Sequence, residues 1–309
     1  MAASASFAER FKSRAVATLW RILSGWQPAS LWRLARLVGP LIQHVSRRER
    51  RVTRINLGQA YPELDESARR QRSRDSLVHS SATMLELGFA WLGDARRVSD
   101  SIQEVHGREL LDDARDRGQG VIVLAPHFGN WEVLNFWLSS HFPSRRCTST
   151  QAGSARPYHP PGARASGGTP GTHQPSRRGR PAQGPETHRG GRHPPGPGTG
   201  WGSGVFAPFF GRQAYTATLL PKLVARTEAR VVTGVARRLP GRGFAIHFLA
   251  ADERVYDSNE TTSAAGVNAS VEAAIALDPA QYQWEYKRYR KTPEEAEQRP
   301  DWKRFRLYR

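Results

Sequence analysis

Sixty consecutive positions, 144–203, contain no Val, Ile, Leu, Met or Phe. They hold 13 of the chain's 28 Gly, 10 of its 21 Pro and nine Arg, against one acid, Glu186. Without aliphatic side chains such a segment cannot offset its ordering entropy by burial, so it is not expected to fold by itself. Any core of this 309-residue chain must therefore come from the residues on either side. Two readings fit the stretch. One is a Pro/Gly/Arg linker. The other is translation in the wrong frame, since GC-rich DNA read out of frame yields these residue types and loses the aliphatic ones. The edges are abrupt: VLNFWLSSHF precedes it and VFAPFFG follows.

Charge narrows the class of partner. Lys and Arg number 46 against 28 Asp and Glu, a net +18 that points to nucleic acid, a phospholipid surface or an acidic carrier. The stretch carries +8 of that charge, with only Tyr158 and Trp201 as aromatics among its arginines. It fits no folded nucleic-acid module, and no nucleic-acid partner is expected. A single cysteine, Cys147, excludes a disulfide scaffold and a cysteine zinc site.

Residues 15–45 mix Leu, Trp and Arg at helical spacing, interrupted by Pro28 and Pro40. The run is too broken for a simple spanning helix or a signal peptide. It reads as a helix lying in a membrane interface, with Trp at headgroup level and Arg against lipid phosphates. The alternative is an amphipathic core helix with a basic outer face. Residues 1–50 are thus expected to form a membrane-associated helical segment, extended by the basic run RRERRVTR at 47–54.

Further on, Asp65 is a candidate cap for a helix reaching about Leu92, with Leu77, Met84, Leu85 and Phe89 on one face. Strands are expected at 102–106, 120–125, 231–236 and 245–249. Helices are expected at 108–117 (closed by Gly118), 129–140, 216–230 and 263–277. Pro221 is tolerated only in a first turn, so the third of these helices should begin nearer Leu220. Strands alternating with helices argue for an α/β sandwich.

The run GVIVLAP at 120–126 reads as a buried parallel strand, and His127 follows it directly. Reactive groups in open α/β sheets gather where strands end and helices begin. His127 and Glu132 span the start of the next helix, and a histidine base gains from a carboxylate that orients it and supports its charge. The same spacing recurs at His44/Glu49 and His247/Asp252. Only the His127 pair joins a strand end to a helix. Its bland alternative is a His and a Glu at an ordinary helix start.

HFGNWE at 127–132, preceded by GVIVLAP, resembles the His-x4-acid block of the bacterial lipid A late acyltransferases, the lauroyl and myristoyl transferases. Three other segments resemble the same family in the same order: RRERRVTRINLGQAYPEL, VFAPFFGRQAYTATLLPKLVARTEARVV and AQYQWEYKRYR. The resemblance fails across 144–203, where the family carries a strand, an Arg near the acyl donor and an Asp-containing turn. Arg156-Pro157 is a faint echo of that Arg. The interval has about the family's length, and a true insertion would lengthen it, so the resemblance favours the change of frame.

The resemblance implies a glycerolipid acyltransferase-like α/β fold, a mixed sheet flanked by helices. It divides the chain into the membrane segment 1–50, an acyltransferase domain over 51–290 and a basic tail at 291–309. It implies acyl transfer, without cofactor or metal, from acyl-carrier protein or acyl-CoA to a hydroxyl of a phosphorylated lipid A precursor, at the cytoplasmic face of the inner membrane. His127 would be the base and Glu132 its support. Amides at Gly129 and Asn130 would meet the oxyanion. Phe206, Phe209 and Phe210 would line an acyl or acceptor path, or else simply pack the core. Lys287, Arg288 and Arg290 would face the anionic partner, or only solvent. The competing readings are a catalytically impaired acyltransferase and a non-enzymatic basic membrane-binding protein.

Overall fold

The computed structural model describes residues 7–142, 203–291, 293, 307 and 308, with side chains from 14 onward apart from 42 and 43. The anomalous stretch, including Arg156, lies outside these residues except for Ser203. So does most of the 291–309 tail.

Helices come first. They are α1 (Phe7–Ser24), α2 (Pro28–Val45), α3 (Arg47–Ala60) and α4 (Glu66–Leu92). Pro28 opens α2, where its missing N–H is not needed. Pro40 was expected to break the helix but lies inside it on the exposed side, where water reaches the freed carbonyl. Asp65 caps α4 as expected, accepting the Ala68 N–H at 2.7 Å. Leu77 and Phe89 are buried and Leu85 half-buried, whereas Met84 is exposed and does not share their face.

The α/β part follows. It comprises α5 (Ala95–Asp100), β1 (Ile102–His106), α6 (Glu109–Asp116), β2 (Val121–Leu124) and α7 (Trp131–His141). After residue 202 come β3 (Gly204–Phe209), β4 (Arg212–Ala217), α8 (Leu219–Thr227), β5 (Arg230–Leu239), β6 (Gly243–Ala250) and α9 (Glu260–Ala276). The main sheet runs β1-β6-β5-β2. Its outer pairs are parallel and its central pair, β5 with β6, is antiparallel. The fold is therefore α/β with a mixed sheet and flanking helices, as expected.

A further expectation changes. Residues 216 and 217 are strand, not helix, and helix α8 begins at Leu219 with Pro221 in its first turn. Strands β3 and β4 form an antiparallel hairpin apart from the main sheet. Its two-residue turn, Phe210-Gly211, has positive φ at both positions (49° and 70°). Such turns match the twist of the flanking strands, but Phe is an unusual occupant and hid the hairpin in the sequence. Pro208 is tolerated because β3 has one strand neighbour among the described residues.

The main core joins both halves of the chain. Leu23 of α1 and Leu31 of α2 are buried in one cluster with Phe89, Val133, Leu134, Trp137, Val232, Phe244 and Ile246. A second cluster gathers Val52, Leu57, Phe209, Ile275, Trp284, Tyr289 and Tyr308. The Tyr308 hydroxyl lies on Asn56 Oδ1 and accepts the Tyr289 N–H at 3.0 Å, so the tail is packed at that residue.

Candidate active site

The ladder between β2 and β5 sets the site. Leu124 pairs with Thr233, and the next bridge joins Gly129 to Ala236. Four residues on one side thus oppose two on the other, and the segment 125–128 must bulge from the strand path. Gly129 makes the return possible. Its φ is +55°, and a Cβ there would lie 2.0 Å from the Ala236 oxygen. Asn130 then caps α7, its Oδ1 accepting the N–H groups of Glu132 (3.1 Å) and Val133 (3.2 Å). The Gln283 N–H donates to the His127 oxygen at 2.9 Å, and Phe128 bridges to Tyr282.

His127 sits half-buried on this bulge. Burial lowers its pKa below the usual 6.5, which favours the neutral imidazole. Among the described residues, neither ring nitrogen has a hydrogen-bond partner. Trp131 packs edge-on against the ring, with centroids 5.0 Å apart at 76°. The Trp131 indole N–H donates to Glu132 Oε1 (2.9 Å), and Asn135 Nδ2 donates to Glu132 Oε2 (3.4 Å). The carboxylate is therefore one residue removed from His127, and no ion pair joins the two among the described residues. His127 and Glu132 converge on one helix start, linked through Trp131 rather than directly.

Several other expectations are revised by packing. The Gly129 N–H donates to the Gln281 oxygen and the Asn130 N–H to the Ala236 oxygen, both at 2.9 Å. These amides hold the loop in place and cannot also meet an oxyanion. Phe209 is 1% exposed and belongs to the second core cluster, so it lines no path. Phe210 is half-buried, its ring 5.3 Å from Tyr61 and 5.7 Å from Trp284, and its N–H donates to Glu272. Phe206 is half-buried against Tyr215. The three phenylalanines thus belong to the hairpin and its packing. Arg288 does not simply face solvent. It donates to the Tyr215 carbonyl, Thr216 Oγ1 and Asn268 Oδ1, each at 2.9 Å, and ties the hairpin to α9.

The two decoy pairs fall apart. His44 is exposed, and Glu49 pairs with Arg48. His247 stacks on His106, while Asp252 binds Arg254. His247 has its pKa lowered to about 4 by burial and by the nearby His106 and Arg237.

Sequence reasoning missed the residues behind the loop: His79, Thr83 and Glu86 on α4, Arg238 on β5, and Gln281. All five are at most 8% exposed. A signal existed. His79, Thr83 and Glu86 recur at helical spacing, and Arg238 is the second of two arginines that interrupt the mostly apolar strand after Arg230.

A family model, bacterial lipid A biosynthesis acyltransferase, matches residues 4–157 and 199–291. The lipid A biosynthesis lauroyltransferase of Escherichia coli strain K12 is 25% identical over 291 residues, covering 90% of this chain and 91% of that protein. The matched residues include the strand, the His127 bulge, the helix start and the frame of buried polar groups behind them. The chain belongs to the bacterial lipid A biosynthesis acyltransferases, and is by that membership an acyltransferase.

Proposed function

We propose that this chain moves a fatty acyl group from a thioester donor, acyl-carrier protein or acyl-CoA, to a hydroxyl of a lipid A precursor, with His127 as general base. The observation that carries the reading is His127 itself, held on a bulge at a strand-to-helix junction, its pKa lowered by burial, its ring nitrogens free of described partners. A neutral imidazole can take the acceptor's hydroxyl proton as its oxygen attacks the thioester carbonyl. The new C–O bond forms, the C–S bond breaks, and the imidazolium returns its proton to the leaving thiolate. Glu132, at the second position of α7, supports the transient positive charge. The Trp131 N–H at the start of α7 has no partner among the described residues and is the amide assigned to the oxyanion.

The setting we propose is the cytoplasmic face of the inner membrane. Among the described residues no helix is long and apolar enough to cross a membrane. Yet Val16, Leu19, Ile22 and Trp26 are exposed in and beside α1, as are Leu37, Leu41 and Val45 on α2. Arg14, Arg21 and Arg36 are exposed among them. Apolar side chains rimmed by arginine suit the headgroup region of an anionic bilayer.

The test is transfer of a labelled acyl chain from acyl-carrier protein, and separately from acyl-CoA, to a lipid A precursor in mixed micelles. General-base assistance is worth about 10²–10⁴-fold, so His127→Ala should lose at least that much and Glu132→Ala less. His44→Ala and His247→Ala should stay within about tenfold of the unmutated chain, as neither sits at the strand-to-helix junction. Full turnover in His127→Ala removes the assigned base. A second reading, an acyltransferase fold that does not turn over, is favoured by the break in the family match across 158–198. It predicts no turnover in the unmutated chain, and activity once 144–203 is replaced by an in-frame translation of the same DNA.

A further inference from the structure

A frame of buried polar bonds stands behind the His127 bulge. Glu86 and Arg238 are 1% and 2% exposed. Two bonds join them, Nε to Oε1 at 2.7 Å and Nη2 to Oε2 at 2.6 Å. Arg238 also reaches His79 Nδ1 through Nη1 (3.0 Å) and Thr83 Oγ1 through Nη2 (2.9 Å). Burial and the Arg238 charge hold the His79 pKa down at about 3, so its Nδ1 is free to accept. On the loop side, Asn130 Nδ2 donates to Glu86 Oε2 (3.0 Å), and the Thr83 hydroxyl reaches the Gly129 oxygen (2.9 Å). Gln281 closes the frame. Its Oε1 accepts the Arg238 N–H (2.7 Å), its Nε2 donates to the Arg238 oxygen (2.9 Å), and its carbonyl takes the Gly129 N–H.

Stability alone does not account for this arrangement. Apolar side chains of similar volume commonly replace a buried ion pair without loss. An apolar pair could not orient an amide. A carboxylate only accepts, so Glu86 draws the NH₂ of Asn130 toward itself and turns its carbonyl to the start of α7. A flipped Asn130 would face two oxygens together and lose the cap. The guanidinium in turn fixes the carboxylate by two parallel bonds.

We propose that the Glu86–Arg238 pair is the positioning device of the catalytic bulge. It acts through Asn130 and Gly129 to hold His127 and Glu132 in register, and it touches no substrate. The proposal rests on His127 being the base.

The experiment exchanges charge within the frame, using the full-length chain in mixed micelles. Asp caps helices as well as Asn does, so Asn130→Asp keeps the cap while setting one carboxylate against another. Its kcat should fall about tenfold or more with KM within about twofold, as misplacing a reacting group lowers rate rather than binding. Glu86→Gln alone leaves Arg238 without its counter-charge and should also lose activity. The double variant Glu86→Gln/Asn130→Asp restores the contact between the two positions with the hydrogen bond reversed, while one Arg238 N–H then faces the new amide. Its kcat should stay below that of the unmutated chain but rise about threefold or more above the worse single variant, a coupling that contacting residues show and independent ones do not. A folded double variant no more active than the worse single one overturns the proposal.

Should these variants not fold, Thr83→Val removes the bond to the Gly129 oxygen at nearly constant volume. It should lower kcat about three- to tenfold, with Thr83→Ser restoring it. Unchanged kcat in Thr83→Val overturns the proposal. Should the unmutated chain show no turnover, the functional reading fails by itself and amide exchange decides the positioning. Protection at 129–133 should drop about tenfold or more in Asn130→Asp and recover in part in the double variant, and unchanged protection overturns the proposal.

Discussion

Trp131 stands edge-on against His127, 5.0 Å between ring centroids, while its indole N–H is held by Glu132. One side chain thus covers part of the imidazole and ties down the carboxylate. This makes His127 basicity depend on its neighbour. Burial lowers the His127 pKa, and the proposed mechanism uses its neutral form, so kcat/KM should fall as pH drops through a value below 6.5. Trp131→Ala opens the ring to solvent, and the acid limb should then move up toward 6.5. A pH profile of both proteins measures the shift. An unmoved limb would mean that Trp131 does not shield the base.

The ion pair behind the bulge should dominate stability. Removing one partner leaves the other buried and uncompensated, at about 3–5 kcal/mol. Arg238→Met should cost that much in urea unfolding. The double variant Glu86→Leu/Arg238→Met should cost less than Arg238→Met alone, since no lone charge remains. A double variant worse than the single one would show that the hydrogen bonds outweigh the desolvation.

Acid should unfold the protein partly through His79. Its pKa is about 3 in the folded chain, against the ordinary histidine value of 6.5 that it regains on unfolding. Between these values the unfolded chain takes up a proton that the folded chain refuses. Stability therefore declines as pH falls from about 6.5 toward 3, at up to about 1.4 kcal/mol per pH unit from this group, and levels off below. His79→Gln keeps an acceptor for Arg238 without titrating, and should flatten the curve in that window. Unfolding midpoints at about pH 7 and about pH 5 for the two proteins decide it.

Gly129 and Gly118 offer a matched comparison. Both have positive φ, +55° and +66°, but a Cβ at Gly118 meets nothing within 4 Å. Gly118→Ala should cost about 1 kcal/mol for its backbone conformation alone. Gly129→Ala adds the clash with Ala236 and should fail to give folded protein, read by circular dichroism and solubility. A well-folded, active Gly129→Ala would contradict the close approach.

Membrane contact should depend on α2. Leu37 is 77% and Leu41 63% exposed. Leu37→Glu/Leu41→Glu should leave the unfolding midpoint nearly unchanged, since neither residue packs in the core. It should weaken sedimentation with anionic vesicles about tenfold or more, because two apolar contacts are replaced by charges repelled from the surface. These substitutions test the interface more cleanly than deleting residues 1–45, which would strip Leu23 and Leu31 from the main core. Equal sedimentation of both proteins would place the interface elsewhere.

What the sequence determined by itself was local. The Asp65 cap, the apolar run 120–126, the helix after it and the turn at Gly118 follow from bonds and periodicities spanning a few residues. The position of His127 at a strand end follows from the same run. Its family resemblance marked the candidate site along the chain. What only the tertiary structure decided was who touches whom. Arg238 and Glu86 lie 152 positions apart, and no spacing rule connects them. Glu132 meets Trp131 and Asn135 rather than His127, and Phe209 is sealed in a core, because long-range packing chooses among side-chain partners that local sequence leaves equivalent. The β3–β4 hairpin escaped for the same reason. Its strained Phe210 turn is held by Tyr61, Trp284 and Glu272, which come from distant parts of the chain.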